Sequence, residues 1–292
     1  MDLEARIALV ASTWTPTQQL HVGNVAWHGS GCDGAPPSDA ELQGPGWFAE
    51  VWQEDDVSEV EGHFSPALST GDRASAFDQI RRIAPSGAMS LVTDSAMAET
   101  LRLADVRQFP DVPHFLLQYR HLNRVEQPDL RAGYVIVTAE DAGEPARVEA
   151  HRLAWAPARI KRMIGLAVTG DEPPSSFTLD KYRAMKSASI YKPELDLVVL
   201  ASDGSPAAFA LGWLDPGSGS VLFEPVGTAP EHARRGLSQA VCLAVMNAAR
   251  DLDASVAVVG PRGDDAYPAP RRLYEAIGFT TLTRTCTFTW PQ

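Results

Sequence analysis

The sequence predicts an α/β protein built of two units, on three observations. Strand-like and helix-like stretches alternate along most of the 292 residues. The order of elements in residues 131–292 recurs, more weakly, in residues 1–130, and the length suits one or two domains. Charge is also divided unevenly. Residues 1–130 hold 8 Lys+Arg against 19 Asp+Glu, and residues 131–292 hold 17 against 18, so nearly all of the net −12 lies in the first unit.

In the first unit, residues 6–11 read as a strand and residues 16–28 as a helix. Residues 29–46 are rich in Gly and Pro and read as a long loop. Residues 47–53 and 57–64 alternate in polarity and are expected to pair as a hairpin across Glu54-Asp55-Asp56. A helix over 73–83, a strand over 88–93, a helix over 95–104 and a strand over 114–122 complete it.

The second unit opens on a strand over 133–138. A helix over 147–155 follows Pro145, then a helical stretch over 157–168, a turn-rich loop over 170–176 and a helix over 178–188. Strands over 195–201 and 207–214 flank the tight turn Asp203-Gly204. A strand over 220–226 runs into a short loop ending Ala233-Arg234-Arg235-Gly236-Leu237-Ser238. The helix that follows carries Leu237, Ala240, Val241, Ala244, Val245 and Ala248 at helical spacing. A strand over 255–259 leads to a loop over 260–268. A short helix near Pro270 carries Leu273-Tyr274 and ends at Gly278, a left-handed cap with Phe279 as its apolar partner. A last strand covers 283–290.

The loop before Leu237 is the most informative stretch. Unpaired N–H groups at a helix start, with the positive end of the helix dipole, bind phosphate or pyrophosphate. Gly236 lets the backbone approach the ligand, and Arg234 and Arg235 add positive charge. A bare Arg-Arg-Gly is otherwise a turn, and Leu-Tyr-x-x-x-Gly-Phe a capped amphipathic helix. Their order, with one helix and one strand between them, carries the reading. The loop is not Gly-x-Gly-x-x-Gly, and no Gly-Lys-Ser/Thr follows it, so dinucleotide-fold and P-loop readings fail.

Together these segments resemble the GCN5-related N-acetyltransferase (GNAT) superfamily, over residues 131–292. Leu273-Tyr274-Glu275-Ala276-Ile277-Gly278-Phe279 matches one family segment. The phosphate loop matches at Gly236 and departs at Ala233 and Ser238, and Tyr267 stands where Asn is usual. The resemblance implies two tandem GNAT-like domains of mixed α+β sheet. Residues 131–292 would form the acyltransferase domain, with acetyl-CoA as co-substrate. Residues 1–130 would be a degenerate copy without a CoA site, because Ser69-Thr70-Gly71-Asp72 stands in place of the phosphate loop. It further implies transfer of an acetyl group to a small-molecule amine. Val226 or Gly227 would polarise the thioester carbonyl through a backbone N–H, and Thr228, Ala233, Arg234, Arg235, Gly236, Leu237 and Ser238 would hold the cofactor. Tyr274 would be the acid that protonates the thiolate. Glu224, or water, would be the base. Other donors such as aminoacyl-tRNA, and a non-catalytic acyl-CoA-binding role, remain alternatives. A part in antibiotic tailoring or resistance is expected by association alone.

The rest of the sequence narrows the class. No apolar run approaches the ~20 residues of a membrane span, and no signal peptide is expected. Cys32, Cys242 and Cys286 are scattered, form no metal spacing and suit a reducing cytoplasm. His21, His28 and Cys32 form no metal pattern either, and no metal is expected. The acidic balance disfavours a nucleic-acid footprint. It serves solubility, or forms an acidic wall that draws in a cationic amine. His232, Arg271 and Arg272 are further candidates for phosphate contacts. Trp155, Tyr182, Tyr191 and Trp213 either shape an acceptor pocket or pack the core. A monomer imitating a dimer, or a homodimer, is expected.

Overall fold

The computed structural model describes residues 1–32, 34–54, 56–109 and 113–291. The chain opens with helices α1 (Leu3–Thr13) and α2 (Val22–Gly29). A strand was expected over 6–11, and the helix there is a correction. The run Ile-Ala-Leu-Val fits either period over so few residues. Asp2 decides it: its side chain accepts the Ala5 N–H at 2.8 Å and caps the helix. Ile7 and Val10 are then buried on one face. α2 starts later than expected, at a capping box in which His21 accepts from Gly23 N and Asn24 accepts from His21 N.

Strand β1 (Ala40–Gly44) lies inside the expected loop. It pairs antiparallel with β2 (Trp47–Glu54) across Pro45-Gly46, with Gly46 at φ 81°. β2 pairs with β3 (Val57–Phe64) as the expected hairpin; the turn residue Asp55 lies outside the described residues, as does Asp33 in the preceding loop. There follow α3 (Thr70–Ile83), β4 (Gly87–Val92), α4 (Ala96–Leu103), a short strand β5 (Arg107–Phe109) that the sequence did not announce, and β6 (Leu116–His121).

The second half contains β7 (Tyr134–Thr138), α5 (Ala139–Ala142), α6 (Glu144–Ala154), α7 (Pro157–Met163), α8 (Leu179–Lys186), β8 (Asp196–Ala201), β9 (Pro206–Asp215) and β10 (Ser220–Thr228). Then come α9 (Leu237–Asp251), β11 (Val256–Val259), α10 (Ala269–Ala276) and β12 (Thr280–Trp290). These lie close to the expected positions, except that α5 was not expected and α7 ends at Met163, short of the expected 168.

The strands form one mixed sheet in the order β1-β2-β3-β4-β12-β6-β11-β10-β9-β8-β7, with β5 beside β12. The halves exchange strands at the centre. β6, from the first half, lies between β11 and β12, and β12 crosses to pair with β4 along Thr285–Trp290. Phe288 and Trp290 thereby enter the first half's core, and the Trp290 indole N–H donates to the Ala84 carbonyl at 2.8 Å. A second exchange runs the other way. α2 packs on β9 and β10 of the second half, with Trp27 buried beside Phe177 and His151. Gly23 makes that contact possible, because a Cβ there would lie 2.4 Å from the Cβ of Trp213. Among the described residues no helix is long and apolar enough to cross a membrane.

Candidate active site

The site begins where two parallel strands separate. β10 pairs with β11 over Ser220–Leu222, then breaks register at Phe223/Val226 and continues beside β9 alone. The Ala229 N–H donates to the Ala207 carbonyl at 2.8 Å. Strand alternation therefore gives the Gly227 N–H to β9 and turns the polar groups of Val226 and Thr228 the other way, into the gap. The carbonyls agree: Val226 O accepts from the Trp155 indole at 3.2 Å, and Thr228 O accepts from Arg159 at 2.8 Å.

The chain then passes through a turn at Pro230–His232 and takes left-handed conformations at Arg234 (φ 60°) and Gly236 (φ 79°) before α9 starts. No side chain caps α9. A Cβ on Gly236 would meet nothing within 4 Å, so the space over the helix start is open. The hydroxyls of Thr228 and Ser238 bond to each other at its edge. The start of α3 in the first half is closed instead. Ser69 Oγ accepts the Asp72 N–H at 3.1 Å, and the Asp72 carboxylate accepts from Ser69 Oγ at 2.6 Å. An acid already sits where an anion would bind.

The two loop arginines part company. Arg234 lines the cleft and has no hydrogen-bond or ion-pair partner among the described residues. Arg235 turns away, donating to the Tyr134 hydroxyl at 2.6 Å and the Glu231 carbonyl at 3.1 Å. Tyr134 also contacts His232 Nδ1 at 3.0 Å, so Arg235 and His232 anchor the loop to β7. Arg271 is likewise held, by the Gly263 carbonyl and Asp265, whereas Arg272 lines the cleft without such a partner among the described residues.

Val226, Gly227, Thr228, Ala233, Arg234, Gly236, Leu237 and Ser238 line one cleft of about 1340 Å³, and Glu224 and Tyr274 line it too. Tyr274 is buried against Phe279 at 5.5 Å between ring centres. Burial first, then the neighbouring Cys242, Glu224 and Tyr267, pushes its hydroxyl well above the ordinary tyrosine value, so it keeps its proton. Glu224 is half-buried. Asn24 Nδ2 donates to its Oε2, and His28 Nε2 lies 3.5 Å from its Oε1. Both partners come from α2 of the first half. The Trp213 indole donates to the Glu224 carbonyl at 2.7 Å and fixes the backbone at the break in register.

Asn24, His28, His151 and Arg159 were not singled out from sequence as working parts of this site. Only the packing of α2 across the second half's sheet brings Asn24 and His28 there, and no local pattern announces it. Arg159 did carry a signal, as a cation two residues after Pro157 at a helix start. The acidic wall does not line the cleft: Glu224 is the one carboxylate among its described lining residues. Of the four aromatic residues considered, Trp155 lines the cleft, while Tyr182 and Tyr191 donate to buried Asp196 at 3.0 and 3.2 Å. His21 is structural, its Nε2 2.9 Å from Ser220 Oγ. Among the described residues no group of three His, Cys, Asp or Glu side chains could hold a metal ion.

No protein-family model matches the chain, and no curated protein matches it by sequence. Solved structures do. A tandem GNAT protein from the clavulanic acid biosynthesis pathway superposes with a TM-score of 0.61 at 13% identity, over 99% of this chain and 96% of that one. A GCN5-related N-acetyltransferase from Sphaerobacter thermophilus gives a TM-score of 0.57 at 19% identity, over 84% of this chain and 76% of that one. Strand order and these superpositions agree: the chain carries two tandem copies of the GCN5-related N-acetyltransferase fold.

Proposed function

We propose that the protein is an acyltransferase that moves an acetyl group from acetyl-CoA to the amine of a small molecule within this cleft. The observation that carries the reading is the uncapped start of α9, which opens on the same cleft as Glu224 and Tyr274. The residues present suit CoA. Backbone N–H groups at the start of α9 would hold the pyrophosphate, with Arg234 and Arg272 supplying positive charge. Arg235 acts indirectly, by holding the loop's shape. The first half would bind no CoA, since Ser69 and Asp72 close α3.

Each step of direct transfer has a group to serve it. The Val226 N–H, turned into the gap, polarises the thioester carbonyl; one such donor is worth about 3 kcal/mol. Glu224 takes the proton of the attacking amine, directly or through water. The amine nitrogen bonds to the carbonyl carbon, the carbon–sulfur bond breaks, and Tyr274 protonates the departing thiolate.

Calorimetric titration with acetyl-CoA tests the reading. Wild type is expected to bind in the low-micromolar range, and Gly236→Asp, which places an acid at the helix start, to bind about 100-fold more weakly, or about 2.7 kcal/mol. A well-folded wild type that takes up no acetyl-CoA overturns it.

A further inference from the structure

We propose that the arm of the cleft between α2, α6 and α7 is the acceptor site, and that it takes a primary amine carried on a neutral, ring-bearing apolar body. This rests on the acyl-transfer reading above and adds the substrate class. The cleft, at about 1340 Å³, exceeds the roughly 300–1,000 Å³ usual for one small ligand. Its donor arm runs along the start of α9. The other arm, beyond Glu224, is walled by Trp27, His151, Trp155, Ile160, Met163 and Ile164.

Charge and polarity in this arm select the acceptor. Glu224 is the one carboxylate among the described lining residues, and His28 stands 3.5 Å from it. The lining cations are Arg159, Arg234, Arg262 and Arg272. Arg234 and Arg272 belong to the CoA phosphates and Arg262 is held by Asp264 at 2.8 Å, so a polycation in this arm would find a single counter-charge, with Arg159 as a like charge. A single amine finds Glu224, and its body meets rings and aliphatic side chains. Trp155 keeps 39% of its surface exposed at the edge of the arm, an open face on which a ring can lie.

His151 points to a bound molecule independently. It is 7% exposed and lines the cleft, with Phe177 at 4.1 Å and Trp155 stacked on it at 6.3 Å. Its Nε2 is not fully enclosed, and its fully buried Nδ1 meets no hydrogen-bond partner among the described residues. A buried polar group normally has one. Burial first, then nearby Arg147, lowers its pKa to about 3, so the imidazole is neutral and can bond a hydroxyl or amide of the acceptor.

The test titrates the full chain with phenethylamine, tyramine and spermidine, with acetyl-CoA alongside and melting curves to confirm folding. Wild type is expected to bind phenethylamine about tenfold more tightly than spermidine. Met163→Lys, which adds a cation to the apolar wall, weakens phenethylamine about tenfold while acetyl-CoA binding stays. His151→Phe keeps a ring and removes the nitrogens; it abolishes an expected preference of about fivefold for tyramine over phenethylamine. Spermidine binding as tightly as phenethylamine, or Met163→Lys without effect, overturns the proposal whatever acetyl-CoA does. Phenethylamine binding in a wild type that takes no acetyl-CoA overturns acyl transfer and supports the ring-amine pocket.

Discussion

Tyr274→Phe separates chemistry from packing, because it removes one hydroxyl from a buried ring and leaves the ring in place. It is expected to lower kcat about 100-fold, as loss of a general acid does, and to leave acetyl-CoA affinity unchanged. An unchanged kcat would reduce Tyr274 to a packing residue. Asn24→Ala probes the other end of the reaction, since it frees one oxygen of Glu224 without touching CoA. It is expected to lower kcat about tenfold, whereas Asn24→Gln restores part of the rate. Buried histidines govern stability in acid. Burial holds His21 and His151 near pKa 3 and His63 near 4, against 6.5 when unfolded. Below pH 6.5 the unfolded chain takes up protons that the native state refuses. Stability is therefore full above pH 6.5 and falls as pH drops from there toward 4 and 3. Each histidine contributes a slope of about 1.4 kcal/mol per pH unit in that window. His63→Gln should flatten the fall of unfolding free energy between pH 6 and 4.5, measured by denaturant titration; an unaltered slope would mean that His63 titrates normally.

Gly23 shows how one element can carry half of a site. α2 holds Asn24 and His28 against Glu224 only because no Cβ intervenes between Gly23 and Trp213. Gly23→Ala is expected to cost about 1–3 kcal/mol by overpacking and to lower kcat with it, since α2 must move off the sheet. A variant melting like wild type with full activity would show that α2 is not clamped there. The same element marks the limit of what the sequence reveals. The phosphate loop and the Leu273-Tyr274 helix are local signals, set by a glycine, a helix start and a capped end, so α9 and α10 lie where the sequence puts them. The first helix was not legible as a helix, because Asp2 as a cap outweighs an apolar run that suits either period. β1 was missed because its alternation is short and its turn, Pro45-Gly46, sits in a stretch already rich in turn residues. The partners of Glu224 lie 200 residues away in sequence for Asn24, and only tertiary packing joins them.

At the scale of the whole molecule, the exchanged strands make the halves interdependent. A fragment of residues 131–292 lacks β6, so the facing edges of β11 and β12 lose their shared partner. It also exposes Phe288 and Trp290, which lie in the first half's core. Leaving two such side chains in water forfeits about 5 kcal/mol, at the lower end of the total stability of a typical domain, roughly 5–15 kcal/mol. The seam reaches the site as well. Arg120 on β6 donates to the Ile277 carbonyl at the end of α10, the helix that carries Tyr274. The isolated fragment is therefore expected to show no fixed near-ultraviolet circular dichroism and no acetyl-CoA binding. Co-expression with residues 1–130 should yield an equimolar complex that binds acetyl-CoA. The intact chain should unfold in one transition, seen alike by tryptophan fluorescence and by circular dichroism. Two separated transitions, or a folded and CoA-competent fragment, would mean that the exchanged strands add little to either half, and that the second unit is a domain in its own right.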